Sequence, residues 1–473
     1  MYYYCFLFIV FFIYVFSFFG IYMLPQNDYF QYISMALFLI MSIWYLIRNR
    51  RDTLFCPEII LLFLGFLISF YNIIVLKNIV SVSRLFLQFS EAMEQKSICL
   101  SLIGFDAFII GEEIAKKNYL KNRISLKTAA FKIPTSFGVI MYLLSIFAIF
   151  LIFLTGRYVV FMKYTLEEGE GANMMNTMLS VLIMVSSILE FQRLHKRYQN
   201  RMTFTSFLLH VNKIYVLAVV AWSLFLLLTG NRGEAVLIAL PPIILYFFLI
   251  NRIKNVTVIF GAIIGSFAMV YVGLTRQGDS DFQESAVELG AFGVFRDYGA
   301  AYVNQQGLIQ YTDSHGMYGL SAGIRTLVSS VPFLGGFLIG DSYSNKNEGD
   351  TNELTTEQWQ LASNMDSGLG TNLLGDLYYA GGLPFVVIYM YILGWFLSYC
   401  YERLYNKKYL NAFSLFTYCW IFADCLYILR APYYHLFRQI GFSLVIYFSL
   451  YVLSNIGTDK SSKTKLNIIK HST

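Results

Sequence analysis

About twelve stretches of this chain are candidate membrane spans, read against a bilayer whose hydrocarbon core of about 30 Å takes about 20 residues of helix. They are Tyr2–Leu24, Tyr29–Ile47, Pro57–Leu76, Ser97–Gly111, Ile133–Gly156, Ala172–Glu190, Val211–Leu228, Ala235–Ile250, Val256–Leu274, Leu377–Cys400, Leu410–Leu429 and Gln439–Ile456. The fourth is short and has to extend or tilt. With 57% hydrophobic residues, 14% charged and a mean hydropathy of +0.56, the composition excludes a soluble chain. An all-α polytopic membrane protein is expected. Met1–Leu24 has neither a basic leader nor a small-residue cleavage site, so it reads as a first span and not a removable signal.

The loop charges test this reading. With the N-terminus inside, 22 of the 35 lysines and arginines fall in inner loops or the inner tail. Arg48, Lys116, Arg193, Arg252, Arg403 and Lys460 each sit in a different one of these segments. Most acids fall outside. That is the positive-inside pattern, with both termini cytoplasmic in a multi-pass plasma-membrane protein. The resulting organisation is residues 1–274 with nine spans, 275–376 as one large outer loop, 377–456 with three spans, and 457–473 as a cytoplasmic tail. The loop carries 13 acidic residues against Arg276, Arg296, Arg325 and Lys346, making an acidic cap with a few isolated positive charges. Loops of this size are uncommon unless they have work to do. Within it Leu320, Ile324, Leu327, Val328 and Val331 recur at helical spacing before Pro332, as an amphipathic helix at the interface would. Asp341–Trp359 reads as a polar, solvent-facing segment.

Several chemistries lack their signatures. No glycine-rich nucleotide loop occurs in a suitable context, and no Ser/His/Asp arrangement can be argued. Five histidines are too few and too scattered for a metal site. Asp279-Ser280-Asp281 has the form of a nucleotide-sugar metal motif, but such triplets arise easily in an acidic loop. The six cysteines fall outside the polar outer loops and indicate no disulfide framework.

Arginines on the outer side stand out instead. The hairpin Thr229-Gly230-Asn231-Arg232-Gly233-Glu234 reverses the chain between two apolar runs, placing a cation and a carboxylate at membrane depth. Pro241-Pro242 follows and is expected to break the next span, which a bilayer tolerates only beside protein or a cavity. Arg276 lies just past the ninth span, and Arg430 and Arg438 bracket the turn Ala431–His435. Arginine forks match phosphate oxygens and keep their charge in low dielectric. These four therefore form a candidate pyrophosphate clamp, unless they are merely headgroup-binding or helix-capping residues. Asp106 and Asp424 lie within spans and need partners; Asp424, nearer the outer end, is the better functional candidate.

Two motifs carry a resemblance to Wzy-type oligosaccharide repeat-unit polymerases, which make O-antigen or capsule and are themselves similar to O-antigen ligases. One is the Thr229–Glu234 hairpin, similar to that family's small-residue–Arg–Gly turn. The other is Asp366-Ser367-Gly368-Leu369-Gly370-Thr371-Asn372 with Asp376, Tyr378 and Gly381-Gly382, similar to its glycine-rich lead into the span after the large loop. Asp376 stands where a glutamate is usual and Asn372 where a serine is common. The resemblance covers the whole architecture and implies a GT-C-like fold in the bacterial inner membrane.

It also implies a lipid-linked glycosyl transfer. The growing glycan on undecaprenyl pyrophosphate is the donor, and a hydroxyl at the non-reducing end of an incoming repeat unit is the acceptor. No nucleotide sugar, cofactor, metal or nucleic acid is implied; a chain-length regulator, a flippase and membrane lipid are the candidate partners. Arg232, Arg276, Arg430 and Arg438, with Arg296, Arg325, Asn231 and Asn372, are the candidate pyrophosphate- and substrate-binding residues. Candidate general bases are Asp376, Glu234, His435 and His315, in that order. Asp376 reads equally as a helix N-cap, and Glu234 as the partner of Arg232. A ligase shares the hairpin arginine and the large loop. A flippase would be expected to have short loops, and a secondary transporter would show repeats.

Overall fold

The computed structural model describes residues 2–20, 28–49, 53–74, 89–121, 170–198, 202–228, 232–274, 296–330, 371–405, 412–441 and 444–445. Among these the regular elements are helices. In chain order they are α1 (Tyr2–Phe19), α2 (Asp28–Asn49), α3 (Pro57–Ser69), α4 (Tyr71–Ile74), α5 (Glu91–Lys121), α6 (Glu170–Tyr198) and α7 (Phe204–His210). There follow α8 (Lys213–Leu228), α9 (Arg232–Leu245), α10 (Asn255–Leu274), α11 (Arg296–His315), α12 (Leu320–Ser329), α13 (Leu373–Tyr405) and α14 (Ala412–Asp424). By length and composition, Tyr2–Phe19, Tyr29–Asn49 and Leu373–Glu402 can each cross a membrane. The pair α7–α8, bent by 103°, is apolar enough for a fourth crossing among the described residues when counted as one broken span, and has equally the form of a re-entrant loop. The fifth apolar stretch and most of the twelfth lie outside the described residues.

Large apolar side chains line the outside of the bundle: Phe8, Ile9, Phe12 and Phe16 on α1, Ile33, Ile40 and Ile43 on α2, and Val256, Phe260 and Ile264 on α10 are all exposed. Faces this apolar and this continuous are compatible with hydrocarbon and not with water. The core forms where α5 and α13 pack together. A Cβ on Gly111 would collide with the Tyr391 carbonyl, and one on Gly394 with the Phe108 carbonyl, so each backbone rests in a gap left by the other's glycine. Small residues at such seams let helices gain dispersion contacts where lipid supplies no hydrophobic drive. The Phe105 ring fills the equivalent gap at Gly65 of α3.

The short fourth stretch extends: α5 runs for 31 residues because the charges at its ends find partners inside the protein. Glu94 accepts from Gln31 Nε2 at 2.9 Å, Lys96 pairs with Asp313 at 2.5 Å, and Tyr45 donates to Glu112. At its far end Glu113 takes Arg48 Nε at 3.2 Å and Asn49 Nδ2 at 3.1 Å, while Lys116 Nζ donates to Asn49 Oδ1 at 2.7 Å. Beside that end Arg193 Nε meets Glu190 at 2.9 Å, and Asn255 Oδ1 accepts the Leu54 N–H ahead of α3. Arg48, Lys116 and Arg193 thus gather at one end of the bundle, here called the basic end.

Two helices depart from the sequence reading. Pro241-Pro242 does not break its span: α9 continues through both prolines and widens into a π-helical turn at Tyr246–Ile250. The π turn lies downstream of the prolines and lets the Asn251 N–H reach the Tyr246 carbonyl as the helix ends. By contrast α13, which reads as one span, doubles back at Gly381-Gly382. A Cβ on Gly104 would touch Leu374, Val386 and Met390 together, although a straight helix would hold Leu374 and Met390 about 24 Å apart. Gly382 has φ 70°, ψ −168°, outside the helical region and in the half of the map that side chains disfavour. A short limb (373–380) and a long limb (383–405) therefore lie side by side against α5.

Candidate active site

The site grows from two interruptions of helix that meet inside the bundle. The first is the inward-facing start of α13's short limb. Asn372 caps it, accepting the Leu374 and Gly375 N–H groups at 2.9 and 3.1 Å while its own Nδ2 donates to the Ala301 carbonyl of α11 at 3.1 Å. The cap is therefore Asn372, and Asp376 sits one turn further on.

The second interruption follows α14. This helix stops early: the Phe422 ring packs 4.6 Å from Phe55, just ahead of α3 near the basic end, so Asp424 ends a helix within the bundle and not at its margin. Residues 425–434 then run as turns and a short 3-10 helix, with Cys425, Ile428, Leu429, Ala431 and Tyr433 buried. Irregular backbone is tolerated at such a place only where protein satisfies it. The Tyr433 N–H donates to Asp376 Oδ2 at 2.8 Å, and the Tyr433 carbonyl accepts from Tyr389 OH at 2.8 Å. The Arg430 carbonyl accepts from the Thr371 N–H at 3.4 Å, and Tyr433 OH donates to the Gly323 carbonyl of α12 at 2.9 Å. One irregular segment thus ties both limbs of α13 to α12.

On this segment three of the sequence candidates come together with Asp376. The Arg430 guanidinium lies 6.0 Å from the Tyr298 ring centroid, a cation–π approach. His435 Nε2 is 3.5 Å from Asp424 Oδ1; Asp424 is fully buried and the imidazole is 21% exposed. Among the described residues, neither Asp424 oxygen accepts a hydrogen bond within normal distance. The pair is therefore poised, not saturated: a buried carboxylate stands behind an imidazole that can be reached. Chemically, this offers a proton acceptor with an orienting anion behind it, five residues along the chain from a permanent cation whose backbone bonds the start of a half-helix.

Other candidates lie elsewhere. His315, at the end of α11, is exposed and stacks on Tyr311 with ring centroids 4.3 Å apart. Arg325 on α12 and Arg438 on the helical segment 435–441 are exposed. The backbone of α9 opens with Arg232 and includes Glu234, and that of α11 opens with Arg296; these three side chains, with Asn231 and Arg276, lie outside the described residues.

Sequence reasoning missed Tyr433, Tyr389 and Thr371, whose contributions are backbone groups and two hydroxyls. It also missed Lys96, which sits one residue ahead of an apolar stretch and looked like loop. The Lys96 ammonium lies 4.9 Å from the Phe18 ring centroid and 5.7 Å from that of Tyr378, whose hydroxyl donates to Asp313 at 3.1 Å. With Gln305 Nε2 donating to the Ser97 carbonyl and to Ser101 Oγ, this anchors α11 along α5. Part of the large loop is therefore a polar helix packed into the bundle. Burial, with the Glu94 carboxylate nearby, pushes the α11 phenol Tyr302 well above its ordinary pKa, so it stays a neutral donor.

Residues 3–460 match the family model described as O-antigen polysaccharide polymerase Wzy. No curated protein and no solved structure matches the chain.

Proposed function

The chain belongs to the O-antigen polysaccharide polymerase Wzy family, and from that membership we propose that it joins undecaprenyl-pyrophosphate-linked repeat units at the outer face of the bacterial inner membrane. The growing glycan leaves its lipid pyrophosphate and passes to a hydroxyl at the non-reducing end of an incoming lipid-linked repeat. The observation that carries this reading is the meeting of Arg430, the His435–Asp424 pair and Asp376 where two helices are interrupted inside a membrane bundle.

In this mechanism His435 takes the acceptor hydroxyl proton, and Asp424 orients the ring and stabilises the imidazolium that forms. The acceptor oxygen bonds to the anomeric carbon of the donor as that carbon's bond to the pyrophosphate oxygen breaks. Charge develops on the departing pyrophosphate. Arg430 and the positive end of α13's short limb stabilise it, with Arg232 and Arg276 as further cations of the same clamp. His435 takes precedence over Asp376 as the base, because Asp376 is buried and already accepts the Tyr433 N–H. We assign Arg296, Arg325 and Arg438 to the substrate's approach and both termini to the cytoplasm.

Complementation of a strain lacking its polymerase tests the reading. Wild type restores a ladder of long surface glycans, while His435→Ala and Arg430→Ala leave single repeats attached. If both variants, present at wild-type levels, produce full ladders, the assignment of this site fails. Loss of single repeats as well would indicate a ligase.

A further inference from the structure

Above the site, on the side away from the basic end, four rings come together from three segments. Tyr311 and His315 belong to the end of α11, Tyr318 to the 316–319 connection, and Tyr379 to the tip of α13's short limb. Tyr318 and Tyr379 stack at 5.9 Å and 24°, Tyr311 meets Tyr379 edge-on at 5.8 Å, and His315 stacks on Tyr311 at 17°. The arrangement is built and not incidental: the Tyr318 N–H donates to the Tyr379 carbonyl at 2.9 Å, and the connection turns through Gly316 and Gly319 at φ 92° and 108°. Tyr379 is the buried base of the group; Tyr311 and Tyr318 are half-buried and His315 is exposed. Asp313, exposed and held by Lys96 and Tyr378, stands at its edge.

We infer that this cluster is a saccharide-binding platform, on which a sugar ring of the lipid-linked glycan rests while its end reaches the site below. The chemistry fits a glycan better than a lipid tail. Aromatic faces meet the C–H face of a pyranose, and tyrosine hydroxyls, imidazole and carboxylate at the rim match its hydroxyls. Continuity fixes the occupant. Tyr379 lies on the same eight-residue limb as Asp376 and is three residues from it, and that limb starts beside Arg430, so a chain leaving the site along the limb passes over these rings. The inference rests on the proposed reading of the site and adds the place where the sugar beyond the reacting one is held.

The test uses the full chain in detergent, with the lipid-free repeat oligosaccharide released from the host's own surface polysaccharide as probe and saturation-transfer NMR as readout. The substitutions are Tyr318→Ala and Tyr311→Ala, with Tyr318→Phe keeping the ring. Loss of one stacking contact should weaken oligosaccharide binding about two- to tenfold and shift the cellular ladder toward shorter chains, whereas Tyr318→Phe should retain most of both. Unfolding is tracked separately by thermal melting of each variant. Alanine variants that fold and bind the oligosaccharide as wild type does would overturn the platform, including where they melt earlier in lipid, which would mark the rings as an interfacial anchor. Because binding is read without turnover, a failure here is distinct from a failure of the His435 and Arg430 variants.

Discussion

The basic end of the bundle and its interior treat their charges in opposite ways. At the basic end Glu113 and Glu190 each meet an arginine, with Asn49 spanning Glu113 and Lys116, so opposite charges are satisfied within ordinary secondary structure. In the interior, Asp424 is buried with an imidazole 3.5 Å away, beside a segment whose backbone relies on tertiary partners. A protein that needed only to stand in a membrane could have been built like the basic end throughout. The contrast separates charges that hold helices together from charges held ready for something else.

Substitutions can break or sharpen that contrast. The largest effect is expected for His435→Ala, with glycan polymerisation in membranes falling about 10²- to 10⁴-fold as a general base is lost; protein level and melting temperature should stay near wild type. Asp424→Asn, which keeps shape but removes the anion, should lower the rate less than His435→Ala and shift its pH profile, as followed by ladder formation across a pH series. A stability loss with no change of profile would make Asp424 a structural residue. Next comes Lys96→Ala, which leaves Asp313 without its cation. It should cost about 2 kcal/mol, seen as a lower melting temperature in detergent and faster proteolysis around α11. Least affected should be Arg193→Ala at the basic end, where the arginine is a third exposed: a change of about 0.5 kcal/mol with turnover intact. A large loss of turnover from Arg193→Ala would erase the distinction between the basic end and the interior.

Legibility from sequence follows the same divide. The first two spans were readable because an apolar run with one lipid-facing side leaves a plain signal: Tyr29–Ile47 was expected and α2 occupies Asp28–Asn49. The spacing of Leu320, Ile324, Leu327 and Val328 foretold α12. Hydropathy failed at α13, since it reads composition along the chain and Gly381-Gly382 reverses direction without changing composition. It failed at α11, whose Asn304, Gln305 and Gln306 are buried among partners contributed by distant segments, so its sequence resembles a loop. As for the site, Asp376, His435, Arg430 and Asp424 could each be picked out as ionisable groups near membrane ends. That Asp424, Arg430 and His435 lie on or at the edges of one irregular segment bonded to Asp376 depends on where α14 stops, and the residues ahead of Asp424 carry no stop signal such as glycine or proline.

The seam at Gly111 and Gly394 bears on how the lipid of a lipid-linked substrate could get in. Main-chain atoms themselves touch there, so no rotamer change can part α5 from α13; a doorway at that point would require moving whole helices. A lipid tail would have to enter along some other flank, since these two helices form one fixed wall.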